Sequence, residues 1–131
     1  MILYRPVGLK ELELIAQSEF KAFPPRLPEQ PIFYPVLNFE YAEQIARDWN
    51  TQSNSFAGFV TKFEVEDDYA KKFDVRVVGS RIHQELWVPA EQLTEFNCHI
   101  VGKITVEAAY YGENFVGEIN SETNLPKSIE I

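Results

Sequence analysis

Apolar positions recur along this chain with two periods, and each change of period marks an element. Ile2-Leu3-Tyr4-Arg5 predicts a short first strand stopped by Pro6. From residue 9 the period lengthens. Leu9, Leu12, Ile15 and Ala16 fall on one face of a helix over residues 9–18, with Lys10, Glu11, Glu13 and Gln17 toward water. Ile32-Phe33-Tyr34 reads as a brief second strand. Asn38 is placed to cap a second helix, because its side chain can accept from a free first-turn amide. Within it Phe39, Ala42, Ile45, Ala46 and Trp49 follow at spacings of three and four. This is the clearest amphipathic helix in the chain, and Phe39 and Trp49 are assigned to the core.

The second half alternates. Ala57, Phe59, Thr61, Phe63 and Val65 point one way, and Gly58, Val60, Lys62, Glu64 and Glu66 the other, as in a strand with one buried face. Asp67-Asp68 ends that strand and caps a turn through Lys72. Two adjacent carboxylates also suit a metal, but a solvated turn is the simpler reading. Strands follow over 73–78 and 83–88, then a short helix opened by Pro89 through about Phe96, then a long last strand over 99–111. Helices early and strands with helical inserts later predict an α+β fold with a mainly antiparallel sheet. Residues 1–112 read as one globular domain. Residues 113–131 read as a loose polar tail whose end, Ile129 to Ile131, docks as an edge strand.

One segment fits neither period. Phe23 to Pro31 holds four prolines in nine residues, which favours polyproline II geometry. Pro25 and Pro28 form a PxxP beside Arg26, the pattern an SH3-like partner reads. A stiff loop packing its apolar side chains on the domain is preferred.

Composition narrows the function. The chain has 131 residues, 45% hydrophobic and 24% charged, which excludes a disordered or collagen-like protein. Twelve basic against twenty acidic residues give a net charge of −8, which argues against nucleic-acid binding. The first fifty residues hold five basic and seven acidic residues, so an anionic ligand belongs there rather than in the more acidic remainder. The single cysteine, Cys98, excludes an intrachain disulfide and points to a reducing, cytoplasmic setting. No stretch approaches the roughly 20 apolar residues of a membrane span. His83, His99 and Cys98 are too few for a closed zinc site, so no metal is expected.

The most informative run is His83-Gln84-Glu85-Leu86-Trp87-Val88-Pro89. On a strand, His83, Glu85 and Trp87 share one face. A carboxylate between an imidazole and an indole can grip a sugar hydroxyl or stabilise an oxocarbenium-like cation. The alternative is an exposed Glu85 with Trp87 as an amphipathic lid. Arg5, at the end of the first strand, can hold a diphosphate bidentately or sit in an ion pair. Arg26 is a further anion partner. Tyr34, Tyr41 and Trp49 can stack on a heterocycle.

A resemblance joins these residues. Leu3-Tyr4-Arg5-Pro6-Val7, Phe23-Pro24-Pro25-Arg26-Leu27-Pro28, Pro31-Ile32-Phe33-Tyr34-Pro35-Val36, Tyr41 to Asn50 and Leu86 to Glu91 together resemble a family of small standalone bacterial proteins labelled ADP-ribosylation/crystallin J1. More broadly, the order of parts is similar to the ADP-ribosyltransferase fold, a split sheet that binds NAD in a cleft. That resemblance implies Arg5 on the phosphates, Glu85 as catalytic carboxylate with His83 orienting it or the target, and Tyr34 and Trp87 stacking. It departs from the pattern in having no Ser or Thr between Glu19 and Asn50. Two functions follow as expectations. One is an ADP-ribosyltransferase-like protein that binds NAD or a related nucleotide and transfers ADP-ribose or hydrolyses NAD. The other is a non-catalytic module of the same fold that binds a nucleotide or a protein.

Overall fold

Antiparallel strands account for most of the backbone pairing. The computed structural model describes residues 1–129. The elements are β1 (Ile2–Val7), α1 (Leu9–Gln17), β2 (Ile32–Phe33), α2 (Phe39–Asp48), β3 (Ala57–Val65), α3 (Asp67–Ala70), β4 (Asp74–Val77), β5 (Gln84–Pro89), α4 (Leu93–Cys98), β6 (Ile100–Tyr111), β7 (Ile119–Asn120) and β8 (Leu125–Pro126). Two three-stranded units run in the orders β1-β3-β6 and β2-β5-β4. They meet at one residue: Val36 bridges Tyr4 of β1 and Glu85 of β5. Tyr4 N–H donates to Val36 O at 2.9 Å, and Val36 N–H donates to Tyr4 O at 2.7 Å. The sheet is therefore β6-β3-β1, a single joint, then β2-β5-β4.

The joint is narrow for a covalent reason. Hydrogen-bonded pairs in an antiparallel ladder recur every second residue, so the next pair after Tyr4–Val36 is Pro6–Tyr34. Pro6 has no N–H to give. The strand nonetheless continues through Pro6 to Val7, contrary to the stop expected at Pro6, because β3 pairs along its other edge as far as Val7–Phe59. The missing donor faces the side where β1 and β2 part, as proline in a strand requires.

Both faces of the sheet are covered. On one side α1 and α4 bury Leu12, Ile15, Leu93 and Phe96 against Leu3, Phe33, Phe63 and Leu86. On the other side α2 lays Ala42 and Ala46 over Val36 and Val60. Hence β3 has two buried faces over its first half: Gly58 and Val60 are buried as well as Phe59 and Thr61, and only Glu64 of its residues is exposed. The helix sits close because both partners are small. A Cβ on Gly58 would lie 2.2 Å from Ala46 O. This approach also corrects the assignment of Trp49 to the core. Asn50 takes the place against Gly58, and Trp49 is left 70% exposed at the end of α2. Phe39 is half-buried, edge-on to Tyr4.

The segment after Gly112 is not a loose tail. β7 and β8 form a small antiparallel hairpin, and Leu125 and Ile129 join the main core. Of the edge strand expected at 129–131, Glu130 and Ile131 lie outside the described residues. No helix among the described residues is long and apolar enough to cross a membrane.

Gly58→Ala forces its Cβ into the α2 backbone, and no side-chain rotation relieves that clash. The expected loss is about 1–3 kcal/mol, the usual range for overpacking. Chemical denaturation measures it, and an unchanged midpoint would contradict the close α2–β3 contact.

Candidate functional site

The parting of β1 from β2 opens a cleft of about 730 Å³. Arg5 and Pro6 form one wall, Tyr34 and Val36 the other, and Arg26 from the proline-rich loop comes in over the top. Three local features build it. A single residue, Gly8, links β1 to α1, so the helix folds straight back and its first turns face the end of β1. Asn97 clamps the loop: its Oδ1 accepts from Phe23 N–H and its Nδ2 donates to Phe23 O, both at 3.0 Å. Phe23 is then buried in the core, and Pro24 to Arg26 extend from that anchor to the cleft. Phe23 packs on the domain as the stiff-loop reading expects, but Pro25, Leu27 and Pro28 stay exposed, so the loop does not pack its remaining apolar side chains there.

Arg5 is 6% exposed and bound on both sides. Its Nε donates to Glu11 Oε2 at 2.8 Å and its Nη2 to Glu11 Oε1 at 3.2 Å. Its guanidinium carbon lies 4.7 Å from the Phe33 ring centre and 5.9 Å from that of Tyr34. Glu11, expected to face water, is the residue that makes burying Arg5 affordable, since an unpaired buried charge is costly. The Arg26 guanidinium carbon lies 6.0 Å from the centre of the Tyr34 ring. Its Nε is shielded from solvent and has no hydrogen-bond partner among the described residues. Burial, and then the neighbouring Arg5 charge, lower its pKa. An anion in the cleft would favour the charged guanidinium and offset the repulsion from Arg5.

The residues expected to carry chemistry lie elsewhere. Leu3, Arg5 and Val7 alternate toward α1, whereas Tyr4, Val36 and Glu85 are successive cross-strand partners toward α2. Arg5 and Glu85 thus leave the sheet on opposite faces. Glu85 is 7% exposed and its two oxygens are taken. Tyr41 O–H donates to Oε2 at 2.5 Å, and Trp87 Nε1–H donates to Oε1 at 3.0 Å. His83 does not orient Glu85. Its Nε2 pairs with Gln44 Oε1 at 3.0 Å, and its ring packs 4.5 Å from that of Tyr41. Trp87 is covered on one face by Arg76, whose guanidinium carbon is 4.3 Å from the ring centre.

Of the six candidates, then, Arg5, Arg26 and Tyr34 meet in the cleft, while His83, Glu85 and Trp87 form a separate cluster under α2. Sequence reading missed Glu11, Gln44 and Arg76. The one-residue link after Val7 was a signal for Glu11, because it turns α1 back upon Arg5. Gln44 left no comparable signal, its partner His83 lying 39 residues on, and Arg76 reaches Trp87 through the pairing of β4 with β5. A second hollow, of about 630 Å³ between Arg47, Thr51, Tyr110 and Gly112, contains none of the candidates. Among the described residues no group of three His, Cys, Asp or Glu is arranged to hold a metal. No protein-family model, curated protein or solved structure matches the chain.

Burial, and then the hydrogen bond to Glu85, push the Tyr41 hydroxyl well above the usual tyrosine range. Tyr110 and Tyr111 are pushed up to about 12. The unfolded chain releases these protons near pH 10 and the folded chain keeps them, so stability held below about pH 10 falls as pH rises beyond it. Tyr41→Phe leaves a buried carboxylate oxygen unpaired. It should cost about 1–3 kcal/mol at neutral pH and make the alkaline fall shallower. Denaturation at neutral and alkaline pH tests both; an equal alkaline slope in the variant would refute the role given to this proton.

Proposed function

We propose that this chain is a non-catalytic binding module for a nucleotide, with NAD or a related nucleotide as its ligand, seated in the cleft where β1 and β2 part. The observation that carries the reading is the shielded, unpartnered Nε of Arg26 beside Arg5 and the 40% exposed ring of Tyr34. Arg26 supplies a donor for a phosphate oxygen. Tyr34 offers a ring face to a heterocycle. Arg5, held by Glu11 through Nε and Nη2, adds positive charge and a rigid wall. The volume suits a small-molecule site, and its placement in the less acidic part of the chain suits an anion. A sheet that parts over a cleft is also what the resemblance to ADP-ribosyltransferases implies.

Transfer of ADP-ribose needs a carboxylate at the ribose. Glu85 leaves the sheet on the α2 face with both oxygens engaged, and Glu11 is committed to Arg5. These contacts favour binding over transfer.

Calorimetric titration with NAD, ADP and inorganic phosphate tests the reading. Saturable binding of NAD or ADP is expected, weakened about 10–100-fold in Arg26→Ala, the loss of one charged hydrogen bond. Glu85→Gln should bind as wild type, and neither protein should release nicotinamide. Absence of binding at about 1 mM, or full affinity in Arg26→Ala, would sink the proposal. Nicotinamide release by wild type that disappears in Glu85→Gln would establish the transferase reading instead.

A further inference from the structure

β4 (Asp74–Val77) is the end strand of the sheet, and all four of its residues are exposed. Val75 is 46% and Val77 58% exposed. Which of its backbone groups are free follows from the ladder. Val78 N–H donates to His83 O at 2.8 Å, and the same register pairs Arg76 with Glu85 and Asp74 with Trp87. Hydrogen-bonded pairs alternate, so residues 74, 76 and 78 turn their amides to β5, and Val75 and Val77 turn theirs outward. β5 agrees: Leu86 N–H donates to Pro35 O and Gln84 O accepts from Leu37 N–H on its far side, which leaves Glu85 and Trp87 for β4. Among the described residues nothing pairs with the outer edge of β4.

We propose that this edge pairs antiparallel with β4 of a second copy of the chain, about a two-fold axis at Val75. Backbone parity and charge select this register. Only pairings that match 75 or 77 with an outward residue present donors to acceptors. A centre at Arg76 places that guanidinium against itself. A centre at Val77 sets Arg76 opposite Val78 and Asp74 opposite Ser80. A centre at Val75 sets Asp74 of each copy opposite Arg76 of the other, in the closely spaced class of pair where cross-strand charges act most strongly. Val75 then exchanges both backbone bonds with Val75 of the second copy, and Val77 N–H meets Phe73 O. Phe73 N–H is already bonded to Ala70 O, so the ladder ends there.

The two faces of this pairing suit their positions. Phe73, Val75 and Val77 line up on one face as an apolar row. Asp74 and Arg76 form the ion pairs on the other, replacing the exposed pair they make within one strand at 3.7 Å. An open edge bearing exposed valines invites further strands, and an isologous dimer closes it. The inference is independent of what the cleft binds.

Sedimentation equilibrium over a concentration series tests the pairing, with folding of each variant checked by circular dichroism. The wild type should approach twice the chain mass, and the Val75 and Val77 amides should gain protection from hydrogen exchange as concentration rises. Arg76→Asp places like charges across the axis and should weaken the dimer about tenfold or more. The exchange Asp74→Arg with Arg76→Asp should restore it. Val75→Pro removes only an outward donor and should give a folded monomer. A wild type that stays monomeric to about 1 mM, a dimer that survives Val75→Pro, or an exchanged pair that does not recover would each overturn the proposal.

Discussion

One exchanged pair of backbone hydrogen bonds, between Tyr4 and Val36, holds the two halves of the sheet together. Everything near the cleft depends on its being one pair and not a ladder. Had residue 6 carried an N–H, β1 and β2 could zip further and close the gap. Proline at that position keeps the strands apart and costs β3 nothing, because its missing donor faces away from β3. The α2 helix secures the joint from one side, with Ala42 and Ala46 packed on Val36 and Val60.

The joint also decides which chemistry can combine. Side chains alternate across a sheet, so a single bridged residue passes its face on to its neighbours. Tyr4, Val36 and Glu85 inherit the α2 side, and Arg5 inherits the α1 side. The molecule thereby builds two polar clusters of different kinds. Under α2 a carboxylate is satisfied by neutral O–H and N–H donors, which locks Tyr41, Glu85 and Trp87 in place. In the cleft one guanidinium is held by a carboxylate through Nε and Nη2, and the other retains a shielded Nε donor without a partner among the described residues. The first cluster is closed; the second is open to a ligand. A buried donor left unpaired is unusual enough in folded proteins to mark the second as the functional candidate.

Local pattern was legible where local physics governs it. The Asn38 cap is made as the residue type suggests, accepting from Tyr41 N–H at 2.8 Å. The alternation from Ala57 to Val65 is a strand, and the α+β, mainly antiparallel organisation is that of the structure. Reading failed where one side chain's place depends on an element far along the chain. Trp49 has the spacing of a core residue, but the contact between Ala46 and Gly58 leaves its side of the helix end to Asn50. Leu125 and Ile129 sit in a polar segment and still reach the core.

The sequence by itself determined the elements as far as β6, the helix cap, the extended bias of the proline-rich loop and the point at which β1 must stop donating, since each rests on the covalent character of residues near in the chain; the β7–β8 hairpin was not among them. Tertiary structure alone decided that Arg5 meets Arg26 and Tyr34 in one cleft, and that Glu85 meets Tyr41 on the other face of the sheet. Those choices turn on strand register and on which face each helix covers, and both are set by packing between segments that are not neighbours in the chain, such as Tyr4 with Val36 and Tyr41 with Glu85.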